Sequence, residues 1–190
     1  MSETTASDEQ LMAAFSRGTT AAFEELFLRY KQPMFGFFRR RVGDRAQAEE
    51  LTQETFLALL RSAVNYRPSA SFRTYLYAIA FNVLRSHRRK AAFRAMFSGT
   101  TNREPMARDS LDGEIVLRDA LSRLERVDRE ILLLREFEQL SYAEIATVLR
   151  LPLNTVRSRL FRARMALREM LAAPMREKPA IVSAEEEERV

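Results

Sequence analysis

The sequence has no cysteine and no tryptophan, and its only histidine is His87. The lack of cysteine excludes disulfides, thiolate metal sites and a cysteine nucleophile. No apolar run approaches the roughly 18 residues that a membrane-spanning helix needs. The first ten residues, MSETTASDEQ, also lack the basic and apolar segments of a secretory signal. We therefore expect a cytoplasmic protein without membrane insertion, and we expect neither a cofactor nor a metal ion.

Glycine and proline are also scarce, at five and six residues of 190. Because alanine, leucine, arginine and glutamate are abundant instead, the composition favours helices. A hydrophobic share of 46% and a charged share of 30% are typical of a soluble globular protein, and the length allows one or two small domains. The net charge of +5 and the isoelectric point near 9.9 favour a polyanionic partner.

Apolar residues recur at helical spacing through the first half of the chain and are interrupted by turn-forming residues. The predicted helices run from Ser7 or Asp8 to near Gly18, from Thr19 or Thr20 to Gly43, from Asp44 to the loop that begins at Asn65, and from Ser71 to about Lys90. The expected buried sides of the last two are Ala48, Leu51, Thr52, Phe56, Leu59 and Leu60, and Phe72, Leu76, Ile79 and Val83.

Residues 91–113 differ in composition, because Gly, Thr, Asn, Pro, Ser and Asp are concentrated there without periodicity. This pattern predicts a flexible linker between a first helical unit, residues 8–90, and a second, residues 114–172. Residues 173–190 contain two prolines and the run from Glu185 to Glu188, which predicts a disordered tail. We find no internal repeat and no pattern typical of β-strands.

The segment 140–171, LSYAEIATVLRLPLNTVRSRLFRARMALREML, has the pattern of a helix-turn-helix. Ser141 and Glu144 form a capping box at its start, with Leu140 and Ile145 placed as a hydrophobic staple. Pro152 suits the first position of the second helix. The fold class predicted for the whole chain is therefore all-α, with two small helical domains and a flexible linker, the second domain ending in a helix-turn-helix.

The second helix of this motif carries an apolar stripe on one side and polar residues on the other. Between residues 141 and 173 there are six arginines and two glutamates. Arginine can bind guanine with two hydrogen bonds and asparagine can bind adenine likewise, while serine and threonine serve bases or phosphates. An ordinary helix with a solvated basic face is the alternative, but the caps, turn and charge together favour DNA binding. The candidate DNA-binding residues are Asn154, Thr155, Arg157, Ser158 and Arg162, and Phe161 lies on the same side of the helix.

A second basic segment, residues 81–103, holds six basic residues and no acidic residue. On the helix ending at Lys90, the side opposite the expected core presents Tyr77, Phe81, Arg85 and Arg88. Aromatic rings alternating with cations suit single-stranded nucleic acid, and the preceding loop, with Asn65, Tyr66 and Arg67, could hold an unstacked base. Packing of Tyr77 and Phe81 against the linker or the second domain remains an equal alternative.

The helix after Asp44 presents a different surface, with Glu49, Glu50, Gln53 and Glu54 within two turns. Paired carboxylates can serve acid–base or metal chemistry, yet no cysteine, additional histidine or second acidic cluster completes such a site. We therefore expect no enzyme activity, and we interpret these residues as a solvated face or an acidic docking surface.

Three segments together resemble the extracytoplasmic-function (ECF) class of bacterial RNA polymerase sigma factors, in the sigma-70 family, over about residues 8–172. The core-binding segment of this class is similar to residues 48–61, AEELTQETFLALLR. Its promoter-melting segment is similar to residues 72–90, FRTYLYAIAFNVLRSHRRK. LSYAEIATVLRLPLNTVRSRLFRAR (140–164) is similar to its upstream-element reader.

The resemblance implies a factor that binds core polymerase and directs promoter-specific transcription initiation. It implies that the factor binds the minus-thirty-five element as duplex DNA and the minus-ten element as melted single strand. It implies docking of Glu49, Glu50, Gln53 and Glu54 on the clamp helices of the polymerase. It implies that the minus-ten element is bound by Asn65, Tyr66, Arg67, Tyr77, Phe81, Asn82, Arg85, Arg88 and Arg89. An inhibitory anti-sigma factor is common in this class, and the resemblance leaves open whether one binds this chain. The resemblance also implies that the chain acts in the bacterial cytoplasm.

The chain departs from the family pattern at a few positions. Phe81 stands where an arginine is common, Ser86 where an acid is common, and Arg150 and Asn154 replace common turn glycines. The main alternative function is a helix-turn-helix transcription regulator that acts without core polymerase. That alternative predicts a ligand pocket or dimer face in residues 1–90. A sigma-like decoy that binds only a regulator, and a nucleic-acid enzyme, are weaker alternatives.

Overall fold

The structure is a computed structural model that describes residues 6–63, 66, 70–98 and 112–176. All regular structure within these ranges is helical, which confirms the all-α prediction. The helices in chain order are α1 (Asp8–Ser16), α2 (Thr20–Val42), α3 (Arg45–Ser62), α4 (Phe72–Ser98), α5 (Asp112–Arg123), α6 (Arg126–Glu136), α7 (Tyr142–Leu149) and α8 (Leu153–Arg176).

The caps account for the helix boundaries in the first half. Ser7 and Gln10 form a reciprocal capping box at the start of α1. Gly43 ends α2 with φ 71°, in the left-handed region that glycine adopts without steric cost. Asp44 follows at once and accepts a 2.7 Å hydrogen bond from the backbone N–H of Gln47 at the start of α3.

Helices α1 to α4 surround one apolar core. Its largest fully buried side chains include Phe37, Phe38, Phe72, Leu51 and Leu76. The rings of Phe37 and Phe38 meet edge to face with centroids 5.0 Å apart, an arrangement that aromatic rings favour. This core holds α3 and α4 side by side.

Three residues of the predicted buried stripes are placed differently. Leu60 is 38% exposed, so its assignment to the buried side of α3 is wrong. Ile79 and Val83 on α4 are only half-buried, while Ala80 and Leu84 are buried in their place. The buried stripe of α4 is therefore shifted by one residue in the second half of the helix.

Helices α5 to α8 form the second half, in which α8 packs against α5, α6 and α7. The side chains of Ile131, Leu134, Ile145, Val156 and Leu160 fill its centre, each exposed by 1% or less. The two halves also contact each other, mainly where α7 packs on α4.

Two helices are longer than the sequence predicts. α4 continues to Ser98, so residues 91–98 of the predicted linker are helical. α8 continues to Arg176, four residues into the predicted tail. The remainder of the linker, residues 99–111, and of the tail, residues 177–190, lies outside the described residues, and the domain boundaries stay a prediction.

We expect Phe38→Ala to lower the free energy of unfolding by about 3–5 kcal/mol, because it empties a fully buried aromatic site. The matched control is Phe97→Ala, which removes a ring that is 77% exposed and should change stability by no more than about 0.5 kcal/mol. Urea unfolding followed by circular dichroism measures both values. Equal losses in the two variants would contradict the assignment of the core.

Candidate nucleic-acid interface

The start of the helix-turn-helix is held by the predicted capping box. The Ser141 hydroxyl accepts from the Glu144 backbone N–H at 3.2 Å, and the Glu144 carboxylate accepts from the Ser141 N–H at 2.8 Å. Burial raises the pKa of Glu144, but the hydrogen bonds from Ser141 outweigh this effect and leave the pKa below its ordinary value. Leu140 and Ile145 are fully buried beside the cap, as expected for a hydrophobic staple.

The turn depends on Arg150, which adopts φ 55° and ψ 49° at the end of α7. Its backbone N–H donates to the carbonyls of Ala146 and Thr147, and the Leu151 N–H donates to Ala146 O at 3.0 Å. Pro152 then precedes α8 and its carbonyl accepts the first helical hydrogen bond, from Val156 at 3.1 Å. A non-glycine residue therefore makes this turn in a conformation that L-residues rarely adopt.

The candidate residues of α8 lie together on the outer side of the helix. Val156, Leu160 and Ala163 are buried against the second half, and the opposite side is solvent-facing because α8 has no neighbour there. Asn154, Arg157, Ser158, Phe161 and Arg162 are exposed, and Thr155 is half-buried. Phe161 is 67% exposed, so a large ring stands among the polar groups.

The arginines of α8 divide into two sets that the sequence does not distinguish. Arg159 binds Glu125 and Asp128, each at 2.9 Å, and Arg164 binds Glu136 at 2.6 Å. These pairs brace α8 on α6, and hydrogen bonding to Asp128 and Glu125 raises the pKa of Arg159.

The other set faces outward. Within the described part of the chain, neither Arg157 nor Arg162 has an ion-pair partner. These two guanidinium groups are therefore available to a ligand, whereas those of the bracing set are already engaged.

The predicted minus-ten surface of α4 is only partly open. Asn82, Arg85 and Arg89 are exposed and Phe81 is half-buried. Tyr77, by contrast, is 2% exposed, and its hydroxyl donates to Glu138 at 3.2 Å.

Burial and the Glu138 carboxylate raise the pKa of Tyr77 to about 12. The expectation that Tyr77 lies on the side opposite the core is wrong. Its ring packs in the core against Phe37 of the first half, with centroids 5.7 Å apart, and only its hydroxyl meets the second half, at Glu138. Arg88 also points at the second half, because it donates to Glu130 at 2.8 Å.

The loop before α4 is described only in part. Asn65 and Arg67 lie outside the described residues. The ring of Tyr66 packs on that of Tyr75 with centroids 5.2 Å apart. Burial raises the pKa of Tyr66, and among the described residues its buried hydroxyl has no hydrogen-bond partner.

The acidic surface of α3 is open, since Glu49, Glu50, Gln53 and Glu54 are all exposed. It continues into Leu57 and Leu60, which are 48% and 38% exposed. The prediction missed these two leucines as part of the surface. Helical spacing from Gln53, by four and then three residues, could have identified them, but the prediction assigned Leu60 to the core and gave Leu57 no place.

In the part of the chain that the structure describes, no group of histidine, cysteine, aspartate and glutamate is arranged to hold a metal ion. None of the described helices is long and apolar enough to cross a membrane.

Comparison with known proteins agrees with the two-part arrangement of surfaces. The family model Sigma-70 region 2 matches residues 26–94, and the model Sigma-70, region 4 matches residues 115–167. The chain is 35% identical to an RNA polymerase sigma-H factor of Pseudomonas aeruginosa, over 90% of this chain and 96% of that protein.

It is 31% identical to an ECF RNA polymerase sigma-E factor of Haemophilus influenzae, over 83% of this chain and 91% of that protein. Its fold is shared by the sigma factor RpoE from Bartonella quintana, solved in complex with the anti-sigma factor NepR. That match has a TM-score of 0.70 and 24% identity, and it covers 79% of this chain and 96% of that one.

We expect Arg150→Gly to raise the free energy of unfolding by about 0.5–1 kcal/mol, because glycine adopts the left-handed conformation without the steric cost that arginine bears. The gain is smaller than that cost because glycine is also freer in the unfolded chain. Arg157→Gly is the control, since it places glycine inside α8 and should destabilise by about 1 kcal/mol. Thermal and urea unfolding measure both, and a loss of stability in Arg150→Gly would contradict the strain at this turn.

Proposed function

Because the chain belongs to the extracytoplasmic-function class of sigma-70-family RNA polymerase sigma factors, we propose that it binds core polymerase and directs initiation through minus-ten and minus-thirty-five elements. The observation that carries this proposal most directly is the outer face of α8, where unpaired arginines and an asparagine stand on a capped helix-turn-helix. We infer that the chain itself makes and breaks no covalent bond, and that the polymerase catalyses RNA synthesis. We also infer that the chain acts in the bacterial cytoplasm.

The start of α8 reads the minus-thirty-five element in this proposal. Residues at the N-terminal end of such a helix reach base edges in the major groove, which suits Asn154 and Arg157. Arg162, one and a half turns further on, is suited to a phosphate. Thr155 and Ser158 supply hydroxyls, although Ser158 also donates to the Thr155 carbonyl at 3.1 Å.

The minus-ten element is bound by α4 and the loop before it. Asn82, Arg85 and Arg89 offer exposed polar groups, and the half-buried ring of Phe81 lies beside them. Unstacked bases gain from aromatic surfaces and from cations near their phosphates. The loop residues Asn65, Tyr66 and Arg67 complete the proposed site, and Tyr77 and Arg88 join it only when the second half moves away.

The acidic face of α3 docks on the polymerase. Glu49, Glu50, Gln53 and Glu54 form its charged part, and the exposed Leu57 and Leu60 extend it with apolar area. An interface with a charged rim and an apolar patch is typical of specific protein association. The alternative function, a transcription regulator that acts without core polymerase, does not explain this surface.

We expect promoter-specific transcripts from the purified chain combined with core polymerase, and none from either component alone. An in vitro transcription assay on genomic fragments, followed by sequencing of the transcript starts, measures this outcome and identifies the promoter elements. If the chain binds duplex DNA tightly but never associates with core polymerase in a pull-down, the regulator function replaces the proposed one.

We expect Arg157→Ala and Arg162→Ala each to weaken promoter binding by the holoenzyme by about 1–3 kcal/mol. Only Arg157→Ala should also relax sequence preference in the upstream element, because it is the one placed to meet a base. The matched control, Arg164→Ala, removes a guanidinium from the same helix that is engaged with Glu136, and it should leave promoter binding nearly unchanged. Footprinting and competition with mutated promoters measure these effects, and an equal loss in Arg164→Ala would count against the assignment.

A further inference from the structure

The last two turns of α4 carry large apolar side chains into solvent. Phe93, Met96 and Phe97 are 62%, 82% and 77% exposed. They lie in residues 91–98, which the sequence pattern predicts as linker and which continue α4 in the structure. None of the three belongs to the proposed binding surfaces. Single exposed apolar residues are common on proteins, but a cluster of large ones marks a binding site.

The rings of Phe93 and Phe97 stand together as a pair, one helical turn apart. Their centroids are 4.9 Å apart and their planes are inclined by 56°. Because most of each side chain remains exposed, the pair offers an aromatic surface to a ligand rather than to the core.

The ring pair continues the basic side of α4. Steps of four residues from Arg85 lead to Arg89, Phe93 and Phe97, and all four side chains are exposed. Residues four apart are neighbours on the surface of a helix. Residues 81–98 contain no acid, so this side of α4 passes from cations to rings without an interrupting negative charge.

This combination favours single-stranded nucleic acid over a protein partner. Cations along one side of a helix neutralise phosphates, and exposed rings stack on bases, each of which has an aromatic face. In duplex DNA those faces are stacked on neighbouring base pairs, where a ring on the protein surface does not reach them. A protein interface normally has few charged groups at its centre, whereas here the cations continue up to the rings.

The neighbouring helix limits where the phosphates can lie. Glu50 and Glu54 of α3 line a groove that also has Phe93 and Arg89 in its walls. Carboxylates repel phosphates, so the sugar-phosphate chain is favoured on the side of Arg85, away from α3. The bases of such a strand are then directed towards the rings.

The length of the added helix sets the length of strand that it can hold. Residues 91–98 extend α4 by about 12 Å at 1.5 Å per residue. A stacked strand rises by about 3.4 Å per nucleotide. The extension therefore spans about three nucleotides beyond those next to Asn82, Arg85 and Arg89.

We propose that Phe93 and Phe97 form a base-stacking site, which lengthens the minus-ten surface and binds about three further nucleotides of single-stranded DNA without reading their sequence. This inference rests on the proposed function for the identity of the strand. The binding of single-stranded DNA itself rests on the rings and cations of α4.

The full-length chain allows a direct test of stacking because it contains no tryptophan. Phe93→Trp places the only indole of the protein at the proposed site. Leu28→Trp, at a 59% exposed position on α2, is the matched control. The fluorescence of an indole is quenched when it stacks on a base. We expect a mixed-sequence single strand of about 15 nucleotides to quench F93W but not L28W, and we expect the same sequence as a duplex to quench neither.

Two double variants separate stacking from simple apolar contact. F93Y/F97Y keeps both rings, whereas F93L/F97L keeps apolar side chains and removes the rings. We expect F93L/F97L to bind the single strand about tenfold more weakly than the unsubstituted chain, and F93Y/F97Y to bind it within about twofold. Fluorescence anisotropy of the labelled strand measures the affinities. Circular dichroism should show an unchanged helical spectrum in both variants, because the two positions are exposed.

The absence of quenching in F93W, or equal affinities of the two double variants, overturns the stacking site. Equal quenching by the duplex also overturns it, because the rings then do not select unstacked bases. If F93L/F97L binds the strand normally but loses core polymerase in a pull-down, the ring pair is a protein-docking surface and the proposal is rejected. Quenching as expected in a chain that never starts transcription with core polymerase supports the stacking site and rejects the proposed function. Transcription without quenching rejects the stacking site only.

Discussion

Arg41 has a charge that the described residues of its own half leave without a counterion. Its guanidinium lies under the second half, on the ring of Phe37 and against Glu130 and Glu138. Because an unpaired buried charge is far more costly than a paired one, this contact fixes how the two halves are placed relative to each other. The same contact region covers Tyr77 and Arg88 of the candidate minus-ten surface, which bond to Glu138 and Glu130.

The same principle of paired and unpaired charge divides the DNA-reading helix. Arg159 and Arg164 are neutralised by acids on or beside α6, and they hold α8 in the orientation that its buried stripe permits. Arg157 and Arg162 stand exposed on the outer side, where the proposed binding to DNA would supply their counter-charge. The helix therefore combines arginines that are paired within the chain with arginines that are exposed. The two candidate surfaces, at α8 and at α4, differ in this structure. The first is open, and the second is only partly open, because Tyr77 and Arg88 are engaged by the second half.

Much of the local structure was predictable. The reciprocal bonds of Ser141 and Glu144, the buried Leu140 and Ile145, and the left-handed Gly43 follow from rules that involve residues three or four positions apart. The end of α4 was not predictable. Residues 91–98 continue this helix just before a segment rich in turn-forming residues, and the composition averaged over residues 91–113 concealed where the helix ends. Leu60 was assigned to the core on its apolar character, yet nothing among the described elements packs over it and it is 38% exposed.

Most helix starts, their caps and the helix-turn-helix could be predicted from the amino-acid sequence because periodicity and capping are local properties, and the motifs were enough to identify the family. Tertiary structure alone decided which polar groups are free. Tyr77 and Arg88 have the same spacing pattern as Phe81 and Arg85, but only the first two meet acids that lie 61 and 42 positions away. Contacts between residues so distant along the chain leave no periodic pattern in the sequence. They arise only when the two halves are packed together.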